Sequence, residues 1–204
     1  MVKAWWIIAV WAMPVALTAQ NGLPFTGAGL LRASGGISPG FLLYGGSTNI
    51  YLNGKLEYFL EDRISMRGEG FWYVNSRQHP APLDQNSQLA FGPFLHCIKG
   101  RLDLSAGVEA GLSFVHPANN WMAPLWAPQD PRMDPAPMRA VPTVALCGSL
   151  NYAVWDYLHF FLDLRMVRSR YYGSPLGTLN LDELVPSAGL GWQFPVKHVG
   201  PPSD

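Results

Sequence analysis

The segment 102–115, LDLSAGVEAGLSFV, sets apolar and polar residues in strict alternation. Leu102, Leu104, Ala106, Val108, Ala110, Leu112 and Phe114 alternate with Asp103, Ser105, Gly107, Glu109, Gly111 and Ser113. Side chains along a strand point to opposite faces with a period of two, so this run predicts one strand with two unlike faces. It is far longer than the ~5–6 residues usual for strands in soluble domains. Two environments could suit it. In a soluble sheet the apolar face meets a core and the polar face meets water. In a membrane barrel the apolar face meets lipid and the polar face meets a lumen.

The pattern recurs along the chain. Strands are predicted at 30–43, 49–60, 64–74, 88–98, 102–115, 140–154, 158–168 and 184–194. Most reach the ~9–11 residues that a tilted strand needs to cross a bilayer. Connections alternate in length. Glu61-Asp62-Arg63, Lys99-Gly100-Arg101 and Trp155-Asp156-Tyr157 are short, whereas 75–87, 116–139 and 169–183 are long and 44–48 is intermediate. With the N-terminus exported, the short turns all fall on the periplasmic side and the longer loops outside, the asymmetry of an outer-membrane barrel. An even strand count also suits closure.

The first residues, MVKAWWIIAVWAMPVALTAQ, carry the early cation Lys3, an apolar run and then small residues, the anatomy of a secretory signal. Cleavage is placed after Ala19. The chain then divides into a signal at 1–19, an N-terminal periplasmic segment at 20–29, the barrel at 30–194 and a tail at 195–204. The balance of 14 basic and 14 acidic side chains argues against a nucleic-acid partner. A charged fraction of 14% is well under the usual ~25%, as expected if much of the surface meets something other than water. Cys97 and Cys147 fall on opposite faces, which argues against a disulfide.

The faces constrain one another. In the second strand Ile50, Leu52, Leu56, Tyr58 and Leu60 share a face; in the third Ile64, Met66, Trp72 and Val74 do. Setting Leu60 opposite Ile64 brings Glu57 opposite Arg67 and Lys55 opposite Glu69. A Lys99-Gly100 turn pairs Ile98 with Arg101 and sets His96 opposite Asp103. Glu109, Asp163 and Arg165 occupy the same polar faces. Water does not require matched charges, and surface pairs contribute only ~0–1 kcal/mol. A narrow lumen does require them, because an unpaired buried charge is costly. An eight-stranded barrel has room inside only for side chains. The polar faces are therefore expected inside as a charge-paired core, with the apolar faces against lipid. Aromatics cluster at strand ends: Tyr58, Tyr152, Trp155, Tyr157, Trp192 and Phe194 at the periplasmic end, and Trp72, Phe114, Tyr171 and Tyr172 at the outer end. Two such belts mark the two interfaces.

Across its whole mature length the chain resembles the small eight-stranded outer-membrane β-barrels of the OmpA/OmpX-like type. The stretch SAGLGWQF at 187–194 is similar to that family's closing strand, which ends in an aromatic residue. The resemblance implies an all-β, eight-stranded antiparallel up-and-down transmembrane β-barrel, recognised by the barrel-assembly machinery. Ten residues, PVKHVGPPSD, follow Phe194, which departs from the family pattern.

Signals for chemistry are few. The histidines are His79, His96, His116, His159 and His198; Ser76 lies near His79 and Ser113 near His116. The family's lipid A deacylases use a His-x-Ser arrangement, and none occurs here. His96 reads as a partner of Asp103. No phosphate loop, zinc motif or calcium loop is present, so no metal and no cofactor is expected. The loop 116–139 holds Trp121, Met122, Trp126, Met133 and Met138 among prolines, and such residues are common at contact surfaces. The expected protein is a non-catalytic, monomeric outer-membrane barrel with a structural or surface-interaction role. Its partners would be outer-membrane lipids and an extracellular ligand at 116–139. Other readings are an outer-membrane lipid-modifying enzyme, a small pore, and a soluble periplasmic barrel that binds an apolar ligand.

Overall fold

Tight turns at one end of the molecule set the register of the sheet. Gly100 takes a left-handed φ of 62°, a conformation that disfavours any side chain, so the chain reverses within two residues and Lys99 pairs with Leu102. The computed structural model describes residues 26–44, 46–77, 83–118, 137–174 and 177–196. The strands are β1 (Leu30–Leu42), β2 (Thr48–Glu61), β3 (Ile64–Ser76), β4 (Leu83–Lys99), β5 (Leu102–Pro117), β6 (Arg139–Ala153), β7 (Leu158–Ser174), β8 (Gly177–Asn180) and β9 (Glu183–Pro195). Each of β1 to β7 pairs antiparallel with the next. β7 also pairs with β9, and β9 returns to β1 with Leu31 opposite Phe194. The sheet is an eight-stranded closed barrel without a free edge. The four-residue β8 only folds back on the end of β7.

The barrel is apolar outside and polar inside. Leu95, Leu146, Leu89, Val144 and Trp72 are 60–70% exposed on the outer wall, whereas Arg32, Arg67, Arg165 and Glu109 are at most 2% exposed. Water could not tolerate this arrangement over so large an area, and a bilayer requires it. Along β5 the outward residues include Leu104, Val108 and Leu112, and the inward ones include Asp103, Ser105, Glu109 and Ser113. The opening alternation is thus a lipid face and a lumen face. The chain is a transmembrane β-barrel, and every barrel strand, at 13 to 17 residues, exceeds the ~9–11 needed to cross.

Large inward side chains are seated over glycines. A Cβ at Gly107 would lie 2.6 Å from the Phe94 ring, and one at Gly191 would lie 2.5 Å from the His159 ring. In a lumen this narrow the glycines make room that a side chain would take.

The strand ends differ from the sequence-based expectation at the long-loop end. β4 begins at Leu83 rather than 88, and β7 runs to Ser174 rather than 168, followed by β8 where a loop was expected. The polar segments read as loops continue the ladder beyond the bilayer, where hydrogen bonding alone maintains a strand and alternation is no longer required. His116, expected in a loop, ends β5 with Nδ1 3.6 Å from exposed Asp84. Two turn registers also differ. Glu61, not Leu60, pairs with Ile64 because a bulge falls at Leu60. His96 sits opposite Ser105 rather than Asp103, a shift of two residues that keeps every face in place. Trp155, Tyr157, Trp192 and Phe194 are exposed at the short-turn end, and Trp72 and Tyr172 at the other. Tyr171 is the exception to the outer belt. It points inward, fully buried, and donates to the Pro137 carbonyl at 2.8 Å.

Candidate functional site

The charged interior is the most developed polar arrangement among the described residues. Its first layer lies near the short turns. Glu57 on β2 faces Arg67 on β3 in the ladder, and Arg67 donates to Glu57 Oε1 from Nε at 3.0 Å and Nη2 at 2.8 Å. Arg32 on β1 reaches across to Asp103 Oδ2 at 2.6 Å and lies 3.5 Å from Glu57 Oε2. His96 bridges the carboxylates, with Nδ1 2.9 Å from Asp103 Oδ1 and Nε2 3.4 Å from Glu57 Oε1. The guanidinium of Arg32 covers Phe59 at 4.6 Å and that of Arg67 covers Phe94 at 3.7 Å, so both cations also find aromatic faces.

A second layer follows toward the middle. Lys55 faces Glu69 in the register, but its Nζ binds Asp163 Oδ2 at 2.6 Å across the lumen. Glu69 lies instead 3.6 Å from Arg67 Nη1. Ladder position decides which residues are neighbours along the wall; the closed lumen brings β2 and β7 within reach of each other. Ser149 also donates to Asp163. Arg165 binds Glu109 Oε2 through Nε at 3.0 Å and Gln88 Oε1 through Nη1 at 2.7 Å.

Above this, Glu183 is fully buried and held by neutral donors. Asn49 Nδ2 at 2.9 Å, the Tyr51 hydroxyl at 2.8 Å and Gln88 Nε2 at 3.0 Å all point to its carboxylate. An apolar plug of Leu42, Leu83, Val115, Val141, Tyr171 and Leu181 completes the lumen at the long-loop end. The sequence reading did not single out Arg32, Ser65, Tyr51, Gln88 or Glu183. Arg32 sits in a glycine-rich strand with weak alternation, and Glu183 lies one residue before the expected start of its strand. Extending the inward parity of Val185, Ser187 and Gln193 back by one step would have found Glu183.

One grouping has the spacing of a nucleophilic triad. Ser65 Oγ is 2.8 Å from His96 Nε2, and His96 Nδ1 is 2.9 Å from Asp103. Ser65 is fully buried, and its Oγ also lies 2.9 Å from Glu57 Oε1. With its proton directed to Glu57, the Ser65 hydroxyl is not set to give that proton to His96, as a nucleophile would have to. His159 is buried with Nε2 3.2 Å from Ser34. His79 and His198 lie outside the described residues, as do Trp121, Met122, Trp126 and Met133; Met138 is exposed at the barrel rim. Among the described residues no group of three or more His, Cys, Asp and Glu side chains is placed to hold a metal. Cys97 is exposed on the outer wall and Cys147 is buried within, both free.

A closed antiparallel barrel of eight strands, apolar without and charged within, is the architecture of the small OmpA/OmpX-like outer-membrane barrels. Solved structures of that class match it. OprG from Pseudomonas aeruginosa superposes with a TM-score of 0.57 at 12% identity, over 84% of this chain and 99% of its own. Neisserial surface protein A gives 0.54 at 9% identity, over 81% and 96%. Ail, the attachment invasion locus protein of Yersinia pestis, gives 0.51 at 13% identity, over 82% and 99%, and has also been solved with the heparin analogue sucrose octasulfate. At these identities the likeness is one of fold. No family model matches the chain, and no curated protein does.

Proposed function

We propose that this protein is a closed, monomeric barrel of the bacterial outer membrane, exported through its N-terminal signal and inserted by the barrel-assembly machinery. Its role is structural or interactive at the cell surface, and it neither conducts ions nor catalyses. The observation that carries this reading is the filled lumen. Arg32, Glu57, Arg67, His96 and Asp103 span it near the short turns, Lys55–Asp163 and Arg165–Glu109 span it further up, and the apolar plug lies beyond. An interior crossed by paired charges and capped by the apolar plug supports a closed lumen, and its groups stabilise one another only while they remain together. Closure without an edge supports the monomer. The 116–139 loop is the surface through which an extracellular ligand would bind, a role of the kind that the sugar complex of Ail represents. Purified protein reconstituted in a planar bilayer should give no steady conductance; reproducible, long-lived channels would favour a pore.

The buried Ser65–His96–Asp103 grouping is read as part of the ion network. A substrate carbonyl has no approach to a fully buried hydroxyl, and the hydroxyl is already engaged by Glu57. A fluorophosphonate probe should therefore leave Ser65 unlabelled in folded protein, and covalent labelling at Ser65 would instead assign a hydrolase.

A further inference from the structure

The outer wall is not equally apolar all round. On β7 the outward residues after the Trp155–Tyr157 turn are Leu158, Phe160, Leu162, Leu164 and Met166, and then Arg168 and Arg170. A tilted strand uses up a ~25 Å apolar band in about ten residues. Counted from Leu158, the band ends at Arg168, so both arginines stand at headgroup level on the long-loop side. Both are exposed, and among the described residues neither has a carboxylate within ion-pair distance. Asp182, on the connection into β9, is turned to the backbone, with Oδ1 accepting from the Ser169 N–H at 3.3 Å. Arg139 on β6 is not part of this outer row: it has the inward parity of Val141 and stands over the Tyr171 ring at the barrel mouth, donating to the Tyr172 carbonyl at 3.1 Å. Toward this rim on other strands the outward residues include the apolar Ile37, Phe41, Trp72, Val74 and Phe114, and the outward His116 of β5 is paired with Asp84 at 3.6 Å.

A second feature lies below the arginines on the same wall. A depression of about 590 Å³ opens across β4 to β7, floored by the register pair Ala106 and Gly148 and walled by Leu95, Leu104, Leu150, Leu162 and Leu164. Leu164 is opposite Gly148 and four residues before Arg168, which on a strand tilted as above places the depression about 10 Å deeper. That lies within the ~15 Å depth of one hydrocarbon leaflet. A cationic pair at headgroup level over an apolar hollow at acyl depth matches one molecule in both charge and length.

We infer that the outer wall of β5–β7 holds a phosphorylated lipid of the leaflet on the long-loop side, its phosphate on Arg168 and Arg170 and an acyl chain over Gly148. Arg168 and Arg170 are two residues apart on one face, so their backbones lie about 7 Å apart along the strand, a spacing from which two long side chains can converge on one phosphate. The hollow selects for a lipid over a free anion. The site does not depend on whether the lumen is closed, so it stands or falls separately from the function proposed above.

The test is lipid association with the full protein refolded into phosphatidylcholine vesicles, read from the motionally restricted spectrum of a trace spin-labelled lipid. Heat-modifiable gel migration verifies folding of each variant. Spin-labelled phosphatidic acid should associate several-fold more strongly than spin-labelled phosphatidylcholine. Arg168→Gln and Arg170→Gln should each lower that preference by up to about fivefold, and the pair should abolish it. Arg168→Lys with Arg170→Lys should retain part of it, and Arg77→Gln all of it. Gly148→Leu, where a Cβ meets nothing within 4 Å, should weaken association although the arginines are intact. The inference is overturned if there is no preference for phosphatidic acid, if preference survives the double glutamine variant, or if Gly148→Leu has no effect. Displacement by excess inorganic phosphate would likewise overturn it, by showing an anion site rather than a lipid site.

Discussion

Replacing Arg67 by methionine tests the interior network where it is most heavily connected. Arg67 makes two hydrogen bonds to Glu57 at 2.8 and 3.0 Å, approaches Glu69 at 3.6 Å and reaches Ser105 at 3.3 Å, all at 1% exposure. Its removal leaves Glu57 with Arg32 at 3.5 Å, His96 at 3.4 Å and Ser65 at 2.9 Å, and Arg32 is already bound more closely to Asp103 at 2.6 Å. Breaking one side of a buried pair costs about 3–5 kcal/mol, and Arg67→Met should lie in that range. Glu57→Gln should cost a comparable amount, since it removes the carboxylate that Arg67 binds twice and leaves Arg67 only Glu69 at 3.6 Å. The double variant should cost less than the sum, with a coupling of about 2–3 kcal/mol. Exchanging the charges, Glu57→Arg with Arg67→Glu, should not restore stability. It would set the new arginine beside Arg32 and the new glutamate beside Glu69. The ladder pairing alone would have promised rescue; the shared partners remove it. The assay is reversible urea unfolding from lipid vesicles followed by tryptophan fluorescence. A coupling under about 0.5 kcal/mol, or recovery in the exchanged variant, would refute the network.

Other consequences are simpler to measure. Val108→Arg places a charge on the lipid face and should cost about 2–4 kcal/mol if the residue lies near the bilayer midplane, seen in the same unfolding assay. Gly107→Ala should destabilise by about 1–3 kcal/mol, because the added methyl meets the Phe94 ring and the Pro93 carbonyl. In folded protein Cys97 should react with a membrane-partitioning maleimide while Cys147 stays protected, and mass analysis without reductant should show no disulfide between them.

Much of this architecture is written locally. Alternation from Leu102 to Phe114 assigns each side chain to one of two faces, and period two makes that assignment robust: the two-residue register shift at His96 left every face unchanged. Charges on one face and leucines on the other are enough to choose lumen and lipid, since only a bilayer inverts the usual distribution. The turn at Gly100 and the pairings Glu57–Arg67 and Lys55–Glu69 follow from hairpin geometry, which is short in range. Closure is not local. Which inward groups meet across the lumen depends on strands far apart in the chain, and so Lys55 binds Asp163 on β7 and Arg32 binds Asp103 on β5, contacts that no hairpin register contains. The ends of β4 and β7 also escaped, because beyond the bilayer a strand is held by its backbone ladder and carries no alternation to read. Tyr171 faces inward because the parity of Arg165, Val167 and Ser169 continues through it once β7 extends past residue 168; the apolar plug it joins is created only by the assembled rim. Sequence specified the faces, because each is set by a residue's own parity. Only the closed barrel decided the partners, because it sets the distance between opposite walls.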